Sequence, residues 1–250
     1  MKAIDMHSHL PGKAFYYGRK PTPDFLYTMD KSGIDTAVVF TIDGFFYDPI
    51  QSNNLLNEQV KEANGRLIPF CTVDPRNEMA HLEIRRCICE LGFKGIKIHP
   101  WWQGVSPLDP CMKMVAEEAV RLKVPIIFHD GTPPFSSPLQ IAYLAGEYPD
   151  LKVILGHGGG MDLWIEAVAA VKRYPNCTIC LCGSATPPAI LRLMIEELGA
   201  DKVTIGTDAG FGDDYYVKYR MEQFHDLLKD FPLIDQERMY WQNAVELLNI

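Results

Sequence analysis

Eight short runs rich in β-branched residues recur along the chain, each followed by a stretch of helical periodicity, and this alternation constrains the fold more than any other feature. The runs are AIDMHSHL (3–10), TAVVFT (36–41), RLIPFCTVD (66–74), GIKIHP (95–100), VPIIFHD (124–130), KVILGHG (152–158), CTICLCG (177–183) and KVTIGTD (202–208). Between them lie amphipathic segments such as MAHLEIRRCICELG (79–92), CMKMVAEEAVRLK (111–123), MDLWIEAVAAVKRY (161–174) and AILRLMIEELG (189–199), many of which stop at Gly or Asn or run into Pro. Strands alternating with helices build right-handed βαβ units around a parallel sheet. Eight such units in 250 residues fit an α/β chain closed into a single-domain (β/α)8 TIM barrel, regular or distorted, better than an open doubly wound sheet. No GxGxxG follows the first run, so the dinucleotide-binding alternative loses its main support. No Pro/Ser-rich linker divides the chain, so one domain is expected over 1–250, closed by a helix over ERMYWQNAVELLNI (237–250).

The formal charge of −8 argues against a nucleic-acid footprint or an anionic membrane surface, both of which require clustered Lys and Arg. No stretch approaches the roughly eighteen continuous apolar residues of a membrane span. The N-terminus puts a polar strand where a signal peptide would have its apolar region, and a cytoplasmic chain is expected. Cys71, Cys87, Cys89 and Cys111 read as reduced core thiols. Cys177, Cys180 and Cys182, in NCTICLCG, lack the second pair that a structural zinc needs and read as part of a buried strand. There is no GxSxG elbow, no cysteine set beside a histidine and a carboxylate, and no GxxxxGK phosphate loop.

In MKAIDMHSHL, strand alternation puts His7 and His9 on one face with Asp5 behind them. Barrel chemistry sits at the C-terminal ends of the strands. Those ends carry His7 and His9 on the first strand, Lys97 and His99 on the fourth, His129 on the fifth, His157 on the sixth and Asp208 on the eighth. Five of the seven histidines therefore meet on one rim; His81 and His225 fall within helices and read as surface residues. Neutral imidazoles with a carboxylate suit a divalent transition metal, whose bound water has a pKa lowered to about 7.

HSH after the first strand, HD after the fifth, GHGG after the sixth and GTDAG after the eighth resemble the amidohydrolase superfamily. GFKGIKIHP, VILGHGGG and the C-terminal NAVELL resemble more narrowly the amidohydrolase-related branch, which includes aminocarboxymuconate-semialdehyde decarboxylase and related decarboxylases and lactonases. The resemblance runs from Asp5 to the final helix. It implies that His7, His9, His129 and Asp208 ligate one zinc, with His157 polarising substrate or shuttling a proton. In binuclear branches a carboxylated lysine on the fourth strand bridges two metals, so Lys97 leaves a second ion open, with His99 or His157 beside it. The related decarboxylases work with one ion, and one zinc is the expectation.

Phe45, Phe46, Trp101, Trp102 and Phe211 follow strands at the rim and either wall a planar substrate or cover the barrel end. Thr132 and Ser184 offer weaker polar contacts; Arg19 and Lys20 read as solvated charges that could also meet a carboxylate. Two functions stay open on this ligand set. The leading one is a metal-dependent hydrolase, in which zinc-activated water attacks an amide, lactone or ester of a small molecule and Asp208 takes the proton. The alternative is a zinc-dependent decarboxylase of an unsaturated or aromatic carboxylic acid. The rim motifs hold no arginine for a carboxylate, which tilts the reading toward hydrolysis. A catalytically dead binding barrel would need a broken ligand set, and every position is filled. Related barrels often pair, so the resemblance also raises a homodimer.

Overall fold

The computed structural model describes residues 1–10, 12, 22–182, 186–210 and 214–250. Strands β1 (Ile4–His9), β2 (Thr36–Phe40), β3 (Leu67–Cys71), β4 (Gly95–Ile98), β5 (Ile126–Phe128), β6 (Val153–Leu155), β7 (Cys177–Leu181) and β8 (Val203–Ile205) pair in sequence order, every pairing parallel. All eight expected runs form strands. Just past β8 the sheet meets its first strand: Ser8 pairs in parallel with Ala209, and the His9 N–H donates to the Ala209 carbonyl at 2.7 Å. The result is a (β/α)8 barrel. Its helices are α1 (Thr22–Ser32), α2 (Pro49–Lys61), α3 (Ala80–Arg85), α4 (Pro100–Gln103), α5 (Cys111–Leu122), α6 (Pro138–Glu147), α7 (Trp164–Arg173), α8 (Pro188–Leu198), α9 (Asp214–Leu228), α10 (Leu233–Glu237) and α11 (Asn243–Leu248). Among the described residues no helix is long and apolar enough to cross a membrane.

Parallel strands buried on both faces read as nearly continuous apolar runs, which is why these were legible. Ile4, Met6, Val38, Phe40, Phe70, Ile127, Ile154 and Cys180 fill the barrel interior, joined by Ala244 and Leu248 of α11. The opposite faces, with Ala37, Val39, Ile96, Ile98, Ile126 and Phe128, pack against helix residues such as Val115, Ala119, Ile141 and Ala145.

Strict alternation fails in β1. Its register against β2 slips by one residue between Asp5 and Ser8, a bulge that reverses facing from there on. Met6 therefore lies in the interior and His7 and His9 follow it into the barrel mouth, whereas Asp5, expected on their face, departs from it. Its carboxylate accepts hydrogen bonds from Ser8 Oγ (2.7 Å) and from Thr207 Oγ1 (2.5 Å) and N–H (2.9 Å), tying β1 to the segment after β8.

Two expected helices also differ. The 79–92 stretch is α-helical only over α3 and widens into a π-helical turn at Arg86–Glu90; Cys89 in that turn is exposed, and Cys111 is half-buried, so neither is the core thiol expected. The closing stretch likewise passes through a π-helical turn at Arg238–Gln242 before α11. His225 is exposed and His81 half-buried, as surface positions.

Candidate metal centre

The bulge in β1 and the turn after β8 together build a group of donors that could hold a metal ion. His7 Nδ1 donates to the Gly156 carbonyl at 3.1 Å, which leaves Nε2 to face the cleft. His9 Nε2 lies 3.2 Å, and His7 Nε2 3.6 Å, from Asp208 Oδ1. Two ligands held about 2.1 Å from a zinc-sized ion at a tetrahedral angle stand roughly 3.4 Å apart, so these three donors fit around one divalent ion. Asp208 reaches this position with φ of 62°, left-handed backbone that Asp tolerates better than most residues. Its N–H donates to the His7 carbonyl at 2.8 Å.

Close backbone approach is part of the design. A Cβ on Gly206 would sit 2.6 Å from Cys180 Sγ and 2.8 Å from His7 Cβ, so only glycine lets the end of β8 pass His7.

The donors open into a cleft of about 210 Å³ lined by His7, His9, Lys97, His99, Trp102, His129, His157 and Asp208. Trp102, His99 and His129 form a stack, with centroids 4.0 and 3.8 Å apart and planes 11° apart at each step. His99 is held by the N–H of Trp102, which donates to His99 Nδ1 at 3.3 Å. His157 meets the edge of His129 and tilts over His7, at centroid distances of 4.5 and 4.6 Å. Lys97, fully buried, brings Nζ to 3.2 Å from His7 Nε2 and 4.5 Å above the Phe40 ring. The HD and GHGG segments are tied together by Asp130, whose carboxylate accepts from the N–H groups of His157 and Gly159, each at 2.5 Å.

Burial dominates the electrostatics. It holds His7 and His129 well below the ordinary histidine range, assisted by Lys97 beside His7 and by His157 beside His129. His99 is lowered by the same burial and by Lys97, and His157 falls to about 4. These four imidazoles are thus neutral at physiological pH, the form that binds metal. Burial brings the Lys97 ammonium down to about 8, against the opposing pull of Asp208. It would raise Asp208 as well, but the hydrogen bond with His9 and the neighbouring positive charge hold that carboxylate at about 2. Asp130 has weaker compensation, and burial lifts it to about 6 despite its two N–H donors.

The rim residues named from the sequence therefore gather as one cleft, with distinctions. His129 lies in the cleft, but its Nε2 is 2.8 Å from the Thr132 hydroxyl and outside the tight His7–His9–Asp208 group. Of the aromatics, Trp102 lines the cleft and buried Phe45 sits edge-on to His99 at 5.4 Å. Phe46 packs on Trp102 at 5.2 Å but is 45% exposed, and Trp101 is 47% exposed and off the cleft wall. Phe211, Ser184, Arg19 and Lys20 lie outside the described residues. Sequence reasoning passed over Asp130, although the HD dipeptide marks it, and Cys182, whose thiol stands with His7 and His157.

Such a site, imidazoles and a carboxylate at the C-terminal mouth of a parallel barrel, is the arrangement of an amidohydrolase-type barrel and suits a divalent ion. Residues 4–250 match the Amidohydrolase family (Amidohydro_2), and the chain belongs to it. It is 25% identical over 273 residues to 2-amino-3-carboxymuconate-6-semialdehyde decarboxylase of Dictyostelium discoideum, covering 89% of this chain and 75% of that protein. Gamma-resorcylate decarboxylase of a Polaromonas species is 23% identical over 255 residues, covering 80% and 76%. In fold, the chain resembles 5-carboxyvanillate decarboxylase of Novosphingobium aromaticivorans, solved with manganese and 4-hydroxy-3-methoxy-5-nitrobenzoic acid, with a TM-score of 0.77, 16% identity and coverage of 99% and 96%.

Proposed function

We propose that the chain is a metal-dependent decarboxylase of a small aromatic or unsaturated carboxylic acid. One divalent ion, zinc or manganese, is held by His7, His9, Asp208 and, once its ring turns from Thr132, His129. The observation favouring this over the expected hydrolase is the pairing of the flat Trp102–His99 stack with the buried Lys97 ammonium in one cleft. A planar acid needs both a flat wall and a cation; an amide or lactone carbonyl needs neither. Lys97 thereby fills the place of the arginine absent from the rim motifs. The decarboxylases among the relatives support the same choice.

A divalent ion bound there would supply Lewis acidity toward the substrate's anionic oxygens. The side chains do the rest. His157, neutral near pH 7, hydrogen-bonds a substrate oxygen. Lys97, protonated at that pH, gives its Nζ proton to the carbon that keeps the electron pair as the C–C bond breaks and CO2 leaves; water then returns a proton to Lys97. The test is a panel of hydroxybenzoates and carboxymuconate semialdehydes in D2O with metal-loaded protein. CO2 release with one deuteron placed on the vacated carbon supports the reading. Acid release from lactones or amides with no CO2 from any acid would favour the hydrolase.

A further inference from the structure

His7 belongs to two donor sets. One is His7, His9 and Asp208; the other is His7, His157 and Cys182, whose ligand atoms also lie within 4.8 Å of one another. Cys182, just after β7, is a cysteine outside any disulfide, 4% exposed and packed in the barrel-interior cluster, its N–H donating to the Cys180 carbonyl at 2.9 Å. His157 is held from behind by Asp130 through its own N–H. With Nδ1 of His7 committed to Gly156, a metal must take Nε2 in place of its 3.2 Å contact with Lys97 Nζ, and Nε2 can serve one set at a time.

The two sets differ in chemistry. A carboxylate with two imidazoles takes borderline and harder divalent ions, whereas a thiolate with two imidazoles selects softer ones. We propose that His7, His157 and Cys182 form a second, thiophilic metal seat, suited to d10 cations such as Cd2+, which overlaps the proposed catalytic seat and excludes it by capturing His7. Binding is a proton exchange: Cys182 loses its thiol proton to water as the sulfur–metal bond forms, with no change of oxidation state. The seat requires neither His9 nor Asp208, so it stands or falls apart from the proposed decarboxylase activity.

The experiment is a Cd2+ titration of chelator-stripped protein in a thiol-free reductant, read by the ultraviolet thiolate-to-cadmium charge-transfer band and by bound cadmium after gel filtration. Wild-type protein and His9→Ala should show the band, while Cys180→Ser should keep it. Cys182→Ser should lose it, with Cd2+ affinity down about tenfold or more, the scale known for removing even a ligand's supporting partner. His157→Asn, a second variant should Cys182→Ser misfold, should weaken Cd2+ binding to a similar extent. Cadmium should also displace Mn2+ from wild-type protein at lower concentration than from Cys182→Ser, in which it can compete only for the His7–His9–Asp208 seat. No band in wild-type protein, a band surviving Cys182→Ser, or one that Cys180→Ser abolishes would overturn the assignment.

Discussion

His7 and Asp208 are joined twice, by backbone and by side chain. The Asp208 N–H donates to the His7 carbonyl at 2.8 Å, and Asp208 Oδ1 stands 3.6 Å from His7 Nε2. The contact that brings β1 and the segment after β8 together is thus also the one that spaces two proposed metal donors, so barrel closure and metal affinity should fail together.

Gly206→Ala tests that coupling. The added Cβ would sit 2.8 Å from His7 Cβ and 2.6 Å from Cys180 Sγ. Crowding of this kind destabilises by about 1–3 kcal/mol. A lowered urea midpoint together with weaker Mn2+ or Zn2+ binding is expected; unchanged metal affinity would separate the two roles.

Asp130→Asn probes the link between the HD and GHGG segments. One carboxylate oxygen that accepts an N–H becomes an amide nitrogen facing one, leaving a buried donor unmet at about 1–3 kcal/mol. Thermal unfolding should fall by several degrees, and kcat should fall more than KM rises as His157 loses its anchor.

Acid should destabilise the metal-free protein. In the unfolded chain histidines protonate near 6.5, but the folded site lowers His7, His99, His129 and His157. The unfolded state then binds more protons, so stability rises with pH and is lost as pH falls below about 6.5, by at most roughly 1.4 kcal/mol per pH unit for each histidine. Asp130, raised to about 6, and Asp5, raised by burial, act in the opposite sense as they protonate in the folded state, but they are two groups against four. Urea midpoints at pH 7.5, 6.5 and 5.5 should decrease in that order.

Trp102→Ala removes the outer ring of the stack on His99, 4.0 Å away. A KM increase of about tenfold, with a smaller change in kcat, is the expected result, in keeping with roughly 0.5–1.5 kcal/mol for an aromatic pair beyond its buried area. An equal loss in kcat would instead give the ring a role in positioning His99.

The strands were legible because burial on both faces writes itself into composition, and the rim because barrel ends collect polar residues that a core would otherwise reject. What escaped notice depends on geometry that local composition does not encode. The one-residue slip between Asp5 and Ser8 turns His7 and His9 inward, yet nothing in IDMHSH distinguishes a bulged strand from a regular one. Cys182 reads as one more buried thiol until β7 is laid beside β6 and His7. The π-helical turn at Arg86–Glu90 keeps a helical pattern of apolar residues while widening the backbone, so Cys89 faces solvent.

Metal content tests the central claim most directly. Protein stripped with chelator, reloaded with Mn2+ or Zn2+, gel-filtered and analysed by mass spectrometry should carry about one ion per chain, and His7→Ala and Asp208→Ala less than about a tenth of that. A reloaded wild-type chain without metal, or full occupancy in both variants, would contradict the account.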